Sequence, residues 1–334
     1  MGTEIAQPYL LFLGDATDEL AAKTAVGVFY WRQELCVGQY RLEGCVPKLA
    51  LPELGLEEAK GKGAKTLVIG VANRGGVIPE SWIGPLTEAL ALGLDIASGL
   101  HTRLSDIATL RDAAAKHGRT LHEVRHPEGP FRVADGQPRS GRRLLTVGTD
   151  CSVGKMYTSM ALEAELTSRG APVDFRATGQ TGVLVAGSGI SVDAVVADFI
   201  SGAVEELCPA NDPGHWDIVE GQGSLFHPSF AGVSLGLIHG SQPDSLVLCH
   251  EPTRTHMRGL PDQGLPELED CIEANLRAAS LVSSEVRCVG VAVNTSNLEE
   301  ASARDLLKKT EARLGMPCVD PVRDGIGRVV DELL

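Results

Sequence analysis

Residues 148–155, Gly-Thr-Asp-Cys-Ser-Val-Gly-Lys, gather three chemical capacities into eight positions. The glycines let successive main-chain N–H groups turn toward one concavity, the lysine adds a full positive charge, and a helix starting there adds partial positive charge at its first turn. Together these suit the oxygens of a phosphorylated ligand. Gly148, Thr149, Asp150, Cys151, Ser152, Val153, Gly154, Lys155 and the adjoining Met156 are therefore candidate cofactor-binding residues, and Lys155 is also a candidate catalytic one. Position 156 breaks the pattern. A loop that cleaves triphosphates carries Ser or Thr there to ligate Mg²⁺, and a methionine offers no such oxygen. Thr158, about 200° further round the helix, is a poor substitute. No metal site is expected, and the loop suits anchoring a ligand such as coenzyme A better than breaking ATP.

Further polar residues follow apolar strands, where ligands of open α/β sheets bind. Glu220 ends WDIVEG; it could hold Mg²⁺ or take a proton from an attacking ammonium, or simply cap the turn 221–223. Arg176, Thr178 and Gln180 follow VDFRA, and Arg176 could pair with a substrate carboxylate or form an ordinary surface ion pair. Asn73, Arg74 and Gly75, with Gly76, set an arginine beside an open backbone nest suited to a carboxylate. His101 is a candidate general base or hydrogen-bond donor, with a structural role as the alternative. Asn294 ends CVGVAVN. Glu251, Arg254 and His256 form a polar loop after SLVLCH without an assigned role. Cys151 stands at a helix start that would favour its thiolate, although phosphates in the loop would crowd it.

These positions need strands and helices to hold them. YLLFLGD (9–15) and KTLVIGVANRGG (65–76) read as buried parallel strands, and LHEV (121–124) as a last one. Helical stretches cover 19–32, 81–93 and 105–118, the last opened by Ser105 and closed by Gly118. Residues 126–143, with three prolines and three glycines, form the candidate linker. The chain is accordingly expected to be α/β, a Rossmann-like unit over 1–140 and a phosphate-loop unit over 141–334 with a mostly parallel sheet. In the second, strands are expected at 143–147, 173–177, 216–221, 245–250, 287–294 and 316–320. Helices are expected at 154–170, 266–282 and 298–315, with another running from Val192 to Leu207 capped by Ser191.

The 334 residues carry a formal charge of -14, which argues against a surface built to neutralise nucleic-acid phosphates. The eight cysteines show no CxxC pair and read as reduced thiols. No stretch has the roughly 18 apolar residues of a membrane span, and the first residues lack a signal-peptide pattern. A cytoplasmic enzyme acting on a small molecule, without nucleic acid or membrane, and assembling as a homo-oligomer is expected.

The combination of GTDCSVGK, FRATGQTGVLVAGSGISVDAVVADFISGAVE and WDIVEGQGSLFHPSFAGVSLGLIHGSQPD resembles a family once known only as a domain of unknown function and now associated with D-glutamate N-acetyltransferase. VIGVANRGGVIPESW and ALGLDIASGLHTRLSD are similar to that family's N-terminal half. The resemblance covers nearly the whole chain and implies transfer of an acetyl group from acetyl-CoA to the amine of D-glutamate. GTDxxxGK and the VEGxGS stretch are also similar to dethiobiotin synthetase and its relatives. That wider resemblance implies ATP with Mg²⁺ as the alternative and places Asn294 where those proteins meet adenine; a cap on the helix near Leu298 is its other reading.

Overall fold

Tyr9–Gly14, Thr66–Ile69 and Trp216–Val219 are buried at every position. Apolar runs buried on both faces belong to parallel sheets covered by helices on each side. The computed structural model describes residues 3–19, 21–73, 75–127 and 129–334. The chain divides into two units, Met1–Gly129 with Gly179–Ala194, and Pro130–Thr178 with Val195–Leu334.

The first unit runs β1 (Thr3–Glu4), β2 (Tyr9–Gly14), α1 (Lys23–Trp31), β3 (Cys36–Arg41), α2 (Leu56–Gly61), β4 (Thr66–Ile69), α3 (Glu80–Ala91), β5 (Asp95–Ser98), α4 (Ala108–His117) and β6 (Leu121–Glu123). Among the described residues its main sheet is five-stranded, ordered β3-β2-β4-β5-β6 and parallel throughout. The order reverses between β2 and β4, so the loops leaving their carboxyl ends diverge. That junction is filled. A Cβ on Gly14 (φ 54) would lie 2.6 Å from the Trp82 ring. The indole stands edge-on to Phe12 at 5.2 Å and donates Nε1–H to Asp15 Oδ1 at 2.9 Å. Gly118, in the left-handed conformation, ends α4 as its sequence predicts.

The second unit contains β7 (Arg142–Gly148), α5 (Lys155–Ser168) and β8 (Val173–Arg176). The chain then contributes α6 (Gln180–Ala186) and β9 (Ser188–Gly189) to the first unit, where β9 pairs antiparallel with β1. It returns for α7 (Ile200–Leu207), β10 (Trp216–Val219), α8 (Ala231–Ser241), β11 (Ser245–His250), α9 (Leu268–Ser280), β12 (Arg287–Val293), α10 (Glu300–Leu314), β13 (Cys318–Val319) and α11 (Gly327–Asp331). The order β13-β12-β11-β7-β10-β8, parallel throughout, puts β7 between β10 and β11. Both sheets agree with the α/β class expected from the sequence.

Two local expectations need correction. The periodic stretch from Val192 is not one helix: it holds two short 3₁₀ turns, Val192–Ala194 and Ala197–Phe199, before α7 begins at Ile200. Its apolar positions serve two separate cores, since the chain passes from one unit to the other at Ala194/Val195. Ser191 is no cap; its buried hydroxyl donates to the Val124 carbonyl at 2.7 Å. The expected linker, residues 126–143, does contain the passage between the units at Gly129/Pro130, and the chain just after it is held against α7. Buried Glu205 accepts N–H bonds from Asp135 at 3.1 Å and Gly136 at 2.9 Å and pairs with Arg132 at 3.2 Å. Gly202 lets the chain approach, because a Cβ there would collide with the Arg132 carbonyl oxygen.

Candidate phosphate-binding site

Strand β7 ends at Gly148 and α5 begins at Lys155, so the loop spans a strand-to-helix junction at the carboxyl edge of the sheet. Five residues separate Gly148 from Gly154, one more than in the G-x-x-x-x-G-K spacing. The backbone accommodates the longer turn through left-handed conformations at Ser152 (φ 54) and Gly154 (φ 104). Lys155 folds into the concavity and donates Nζ–H to the Asp150 carbonyl at 2.8 Å. Its slot is walled by two glycines. A Cβ on Gly148 would lie 3.0 Å from Nζ, and one on Gly221 would lie 3.0 Å from Cδ and collide with the Thr146 carbonyl oxygen. Burial pushes the Lys155 ammonium below its ordinary pKa, which makes a counter-charge in the slot favourable.

Within the loop, the fully buried Asp150 binds three groups. Arg254 Nη1 donates to Oδ2 at 2.6 Å, the Arg258 N–H to the same oxygen at 2.8 Å, and the Cys151 N–H to Oδ1 at 2.6 Å. Burial acts to raise this carboxyl, but the Arg254 bond and the two N–H groups outweigh it and hold it below the usual range. Arg254 also reaches the carbonyls of Cys151 at 2.6 Å and Ser152 at 3.1 Å. The loop's oxygens are thereby engaged on one side; of its amides, that of Thr149 is bound to the Cys249 carbonyl at 3.1 Å and that of Cys151 to Asp150, which leaves those from Ser152 to Lys155 for a ligand. Neither arginine could be assigned a partner from sequence spacing, since each lies about a hundred residues from the loop. The pairing Cys249↔Gly148 between β11 and β7 brings the two strand-end loops together.

The donor set at the helix start does not fit Mg²⁺. Met156 brings no oxygen, and the Thr158 hydroxyl is turned back on α5, donating to the Gly154 carbonyl at 3.0 Å. Two groups of potential ligand atoms exist among the described residues, Asp150–Cys151–His227 and Asp174–His215–Asp217. Each already contains a guanidinium, Arg254 at 2.6 Å from Asp150 and Arg176 at 2.8 Å from Asp217. Cys151 is no preformed thiolate: burial raises its pKa more than Lys155 lowers it. Burial likewise drives the His250 imidazole down to about 4, so it is neutral where its Nδ1 meets the Thr149 hydroxyl at 3.0 Å.

Glu220 follows β10 and is buried next to the loop's neighbours. Its Oε2 accepts the Thr178 N–H at 3.0 Å, and its carbonyl accepts the Thr178 hydroxyl at 2.5 Å. Gln222 Nε2 adds a bond to that hydroxyl at 3.2 Å. Thr178 and Glu220 thus come together, whereas Arg176 turns away from them. Its Nε donates to Asp217 at 2.8 Å and its Nη2 to Asp174 at 2.9 Å, the ion-pair reading of that residue. Asn294 does not cap a helix, since α10 starts at Glu300; its side chain accepts the Ser296 N–H at 3.1 Å. It lines a cleft of about 430 Å³ with Gly154, Tyr157, Asp320 and Arg323, opening directly from the glycine loop.

In the first unit the polar candidates sit at the carboxyl ends of β4, β5 and β6. Asn73 closes a turn, donating Nδ2–H to the Val77 carbonyl at 2.9 Å and accepting the Val77 N–H at 3.0 Å. Gly75 (φ 80) and Gly76 (φ 59) need glycine there, and a Cβ on Gly76 would meet the His101 ring at 2.5 Å. Arg74 lies outside the described residues. His101 is exposed, with the His126 Nε2–H donated to its carbonyl at 3.0 Å. The charge of Arg125, then burial, hold its imidazole below the ordinary pKa, so it is neutral and proton-accepting near pH 7. Arg125 itself pairs with Asp193 at 2.8 Å. Gln180, at the start of α6, packs so closely on Gly99 that a Cβ there would lie 2.5 Å from its Oε1.

A glycine loop at a strand-to-helix junction, with a buried lysine and a parallel sheet behind it, defines the second unit as a phosphate-loop α/β domain, accompanied by a Rossmann-like one. The chain belongs to the DUF1611 family. Residues 132–330 match the model described as "Domain of unknown function (DUF1611_C) P-loop domain", and residues 41–127 match "Domain of unknown function (DUF1611_N) Rossmann-like domain". A D-glutamate N-acetyltransferase of Tritonibacter scottomollicae is 56% identical over 98% of this chain and 99% of that protein. A second D-glutamate N-acetyltransferase, of a Pseudoalteromonas species, is 50% identical over 99% of each chain. The crystal structure of a DUF1611 family protein from Anabaena variabilis is similar with a TM-score of 0.85 at 34% identity, covering 98% of this chain and 99% of the other. No helix among the described residues is long and apolar enough to cross a membrane.

Proposed function

We propose that this protein transfers the acetyl group of acetyl-CoA to the amine of D-glutamate, giving N-acetyl-D-glutamate and free CoA. The observation that carries the reading is the full-length identity of 56% to a protein named for that activity. The site supports it chemically. Main-chain amides from Ser152 to Lys155, with the buried ammonium, would hold the CoA diphosphate, and the adjoining cleft at Asn294 would take its nucleoside. The acetyl carbonyl is attacked by the lone pair of an uncharged amine, the C–N bond forms, the C–S bond breaks, and the thiolate leaves to take up a proton. A base must first remove a proton from the substrate ammonium. His101, neutral because Arg125 lies near, and Glu220, buried at a strand end, are the two groups of suitable chemistry. Asn73, Gly75 and Gln180 at the first unit's sheet edge are that unit's proposed substrate-binding residues, and Thr178 beside Glu220 is the second unit's. An ATP-dependent reaction is not proposed, because position 156 brings no ligand oxygen for the metal such a reaction needs.

Thiol release from acetyl-CoA, followed with a chromogenic disulfide, tests the reading. D-glutamate should support release and yield a product of mass increased by one acetyl group. Absence of release with D-glutamate, or ATP hydrolysis that requires Lys155, would overturn it.

A further inference from the structure

We propose that Arg258 is a binding residue for the diphosphate held by the glycine loop, supplying the charge that a divalent cation supplies in triphosphate-cleaving loops; this rests on the reading of the loop as the cofactor-phosphate site. Arg258 is anchored through the main chain on both sides of its Cα. Its N–H is fixed to Asp150 Oδ2 at 2.8 Å, and its carbonyl accepts from His227 Nε2 at 3.1 Å. From that fixed backbone the guanidinium reaches the Ser152 hydroxyl on the loop itself. The side chain is exposed, and among the described residues no carboxylate lies within ion-pair distance of it.

Charge decides what this arginine is for. Arg254, the other guanidinium at the loop, is matched by Asp150 at 2.6 Å and Glu251 at 3.7 Å. Lys155 therefore stands alone as uncompensated charge in the slot, whereas a diphosphate brings at least two negative charges. A loop with Ser or Thr after its lysine meets the difference with Mg²⁺. Met156 removes that route, and Arg258 offers a guanidinium at the loop's rim with, among the described residues, one of its five donors engaged. A planar fork of this kind pairs bidentately with phosphate oxygens. Diphosphate binding at this site is consequently independent of divalent metal.

Calorimetric titration of the full chain with inorganic pyrophosphate, CoA and 3′-dephospho-CoA, each in EDTA and in Mg²⁺, tests this. The unaltered protein should bind all three, with affinities that Mg²⁺ changes by no more than about twofold. Arg258→Ala should weaken all three by about 10- to 100-fold, and Arg258→Lys should recover part of the loss. Thermal melting of both variants, matching the unaltered protein, shows that the fold is retained; Arg258→Gln replaces the alanine variant if it is not. Pyrophosphate affinity unchanged in the variants, no pyrophosphate binding by the unaltered protein, a loss confined to CoA, or an increase beyond about tenfold on adding Mg²⁺ would each overturn the proposal. If pyrophosphate binds through Arg258 and CoA does not bind, the assignment of Arg258 stands and the acetyl-CoA reading fails.

Discussion

Arg254 and Asp150 meet at 2.6 Å, and the same guanidinium bonds the carbonyls of Cys151 and Ser152. One side chain from the loop after β11 thus shapes the loop after β7. Removing it by Arg254→Ala strands a carboxylate that is fully buried, which costs about 3–5 kcal/mol when a buried pair loses one partner. Chemical denaturation should show that loss, and Asp150→Asn/Arg254→Ala together should cost less than Arg254→Ala alone. A double variant no more stable than the single one would refute the clamp.

The same pair sets a dependence of stability on pH. The folded-state pKa of Asp150 is depressed below the ordinary 3.8, so its contribution is fully present above that value and is lost as pH falls through the folded pKa. Acid unfolding of the unaltered protein should therefore lose this term only at the acid end, and Asp150→Asn should flatten the stability profile there. An equally steep profile in the variant would place the acid sensitivity elsewhere.

Lys155→Met removes a buried ammonium from the slot between Gly148 and Gly221. Because burial already disfavours the charge, folding stability should hold or rise slightly. CoA affinity should fall by about 10- to 100-fold, since a charge-assisted bond to phosphate is lost. Equilibrium binding beside a thermal melt separates the two effects; a variant that binds CoA normally would detach the lysine from the cofactor.

His101→Ala should reduce kcat with D-glutamate by about 10²- to 10⁴-fold while leaving the KM for acetyl-CoA near its original value, if His101 is the base. Arg125 supplies the leading depression of the His101 pKa. Arg125→Gln should therefore move the acidic limb of the pH–rate profile to higher pH. A limb that stays in place would assign it to another group, with Glu220→Gln the next variant to measure.

Gly221→Ala puts a methyl group against the Thr146 carbonyl and beside the Lys155 side chain. Overpacking of this kind costs about 1–3 kcal/mol or more, and here it should also displace the lysine. Reduced melting temperature together with weakened CoA binding is the expected outcome. A fully stable variant would show that the slot is looser than the structure has it.

The loop itself was legible in sequence because its chemistry is local: glycines, a lysine and a following helix are all contained in residues 148–168, and Met156 can be read as a missing hydroxyl without any fold. Buried strands announce themselves the same way, through short apolar runs ending in Gly or Asn, and the two-unit α/β class follows from their alternation with helices. Local pattern also misled. The apolar period from Val192 to Leu207 is real, yet it serves two cores, and Gln180–Ala186 forms α6, a helix not among those expected from the sequence.

Sequence by itself determined the cradle, the lysine and the absence of a metal hydroxyl, since each depends on residues that are neighbours along the chain. Tertiary structure alone decided which charges the cradle meets. Arg254 and Arg258 lie about a hundred residues away and become loop partners only because β11 pairs beside β7 in parallel register, which places the loops at their carboxyl ends side by side. It likewise decided that Arg176 is held by Asp174 and Asp217, because side-chain direction at a strand end depends on which carboxylates the neighbouring strand presents.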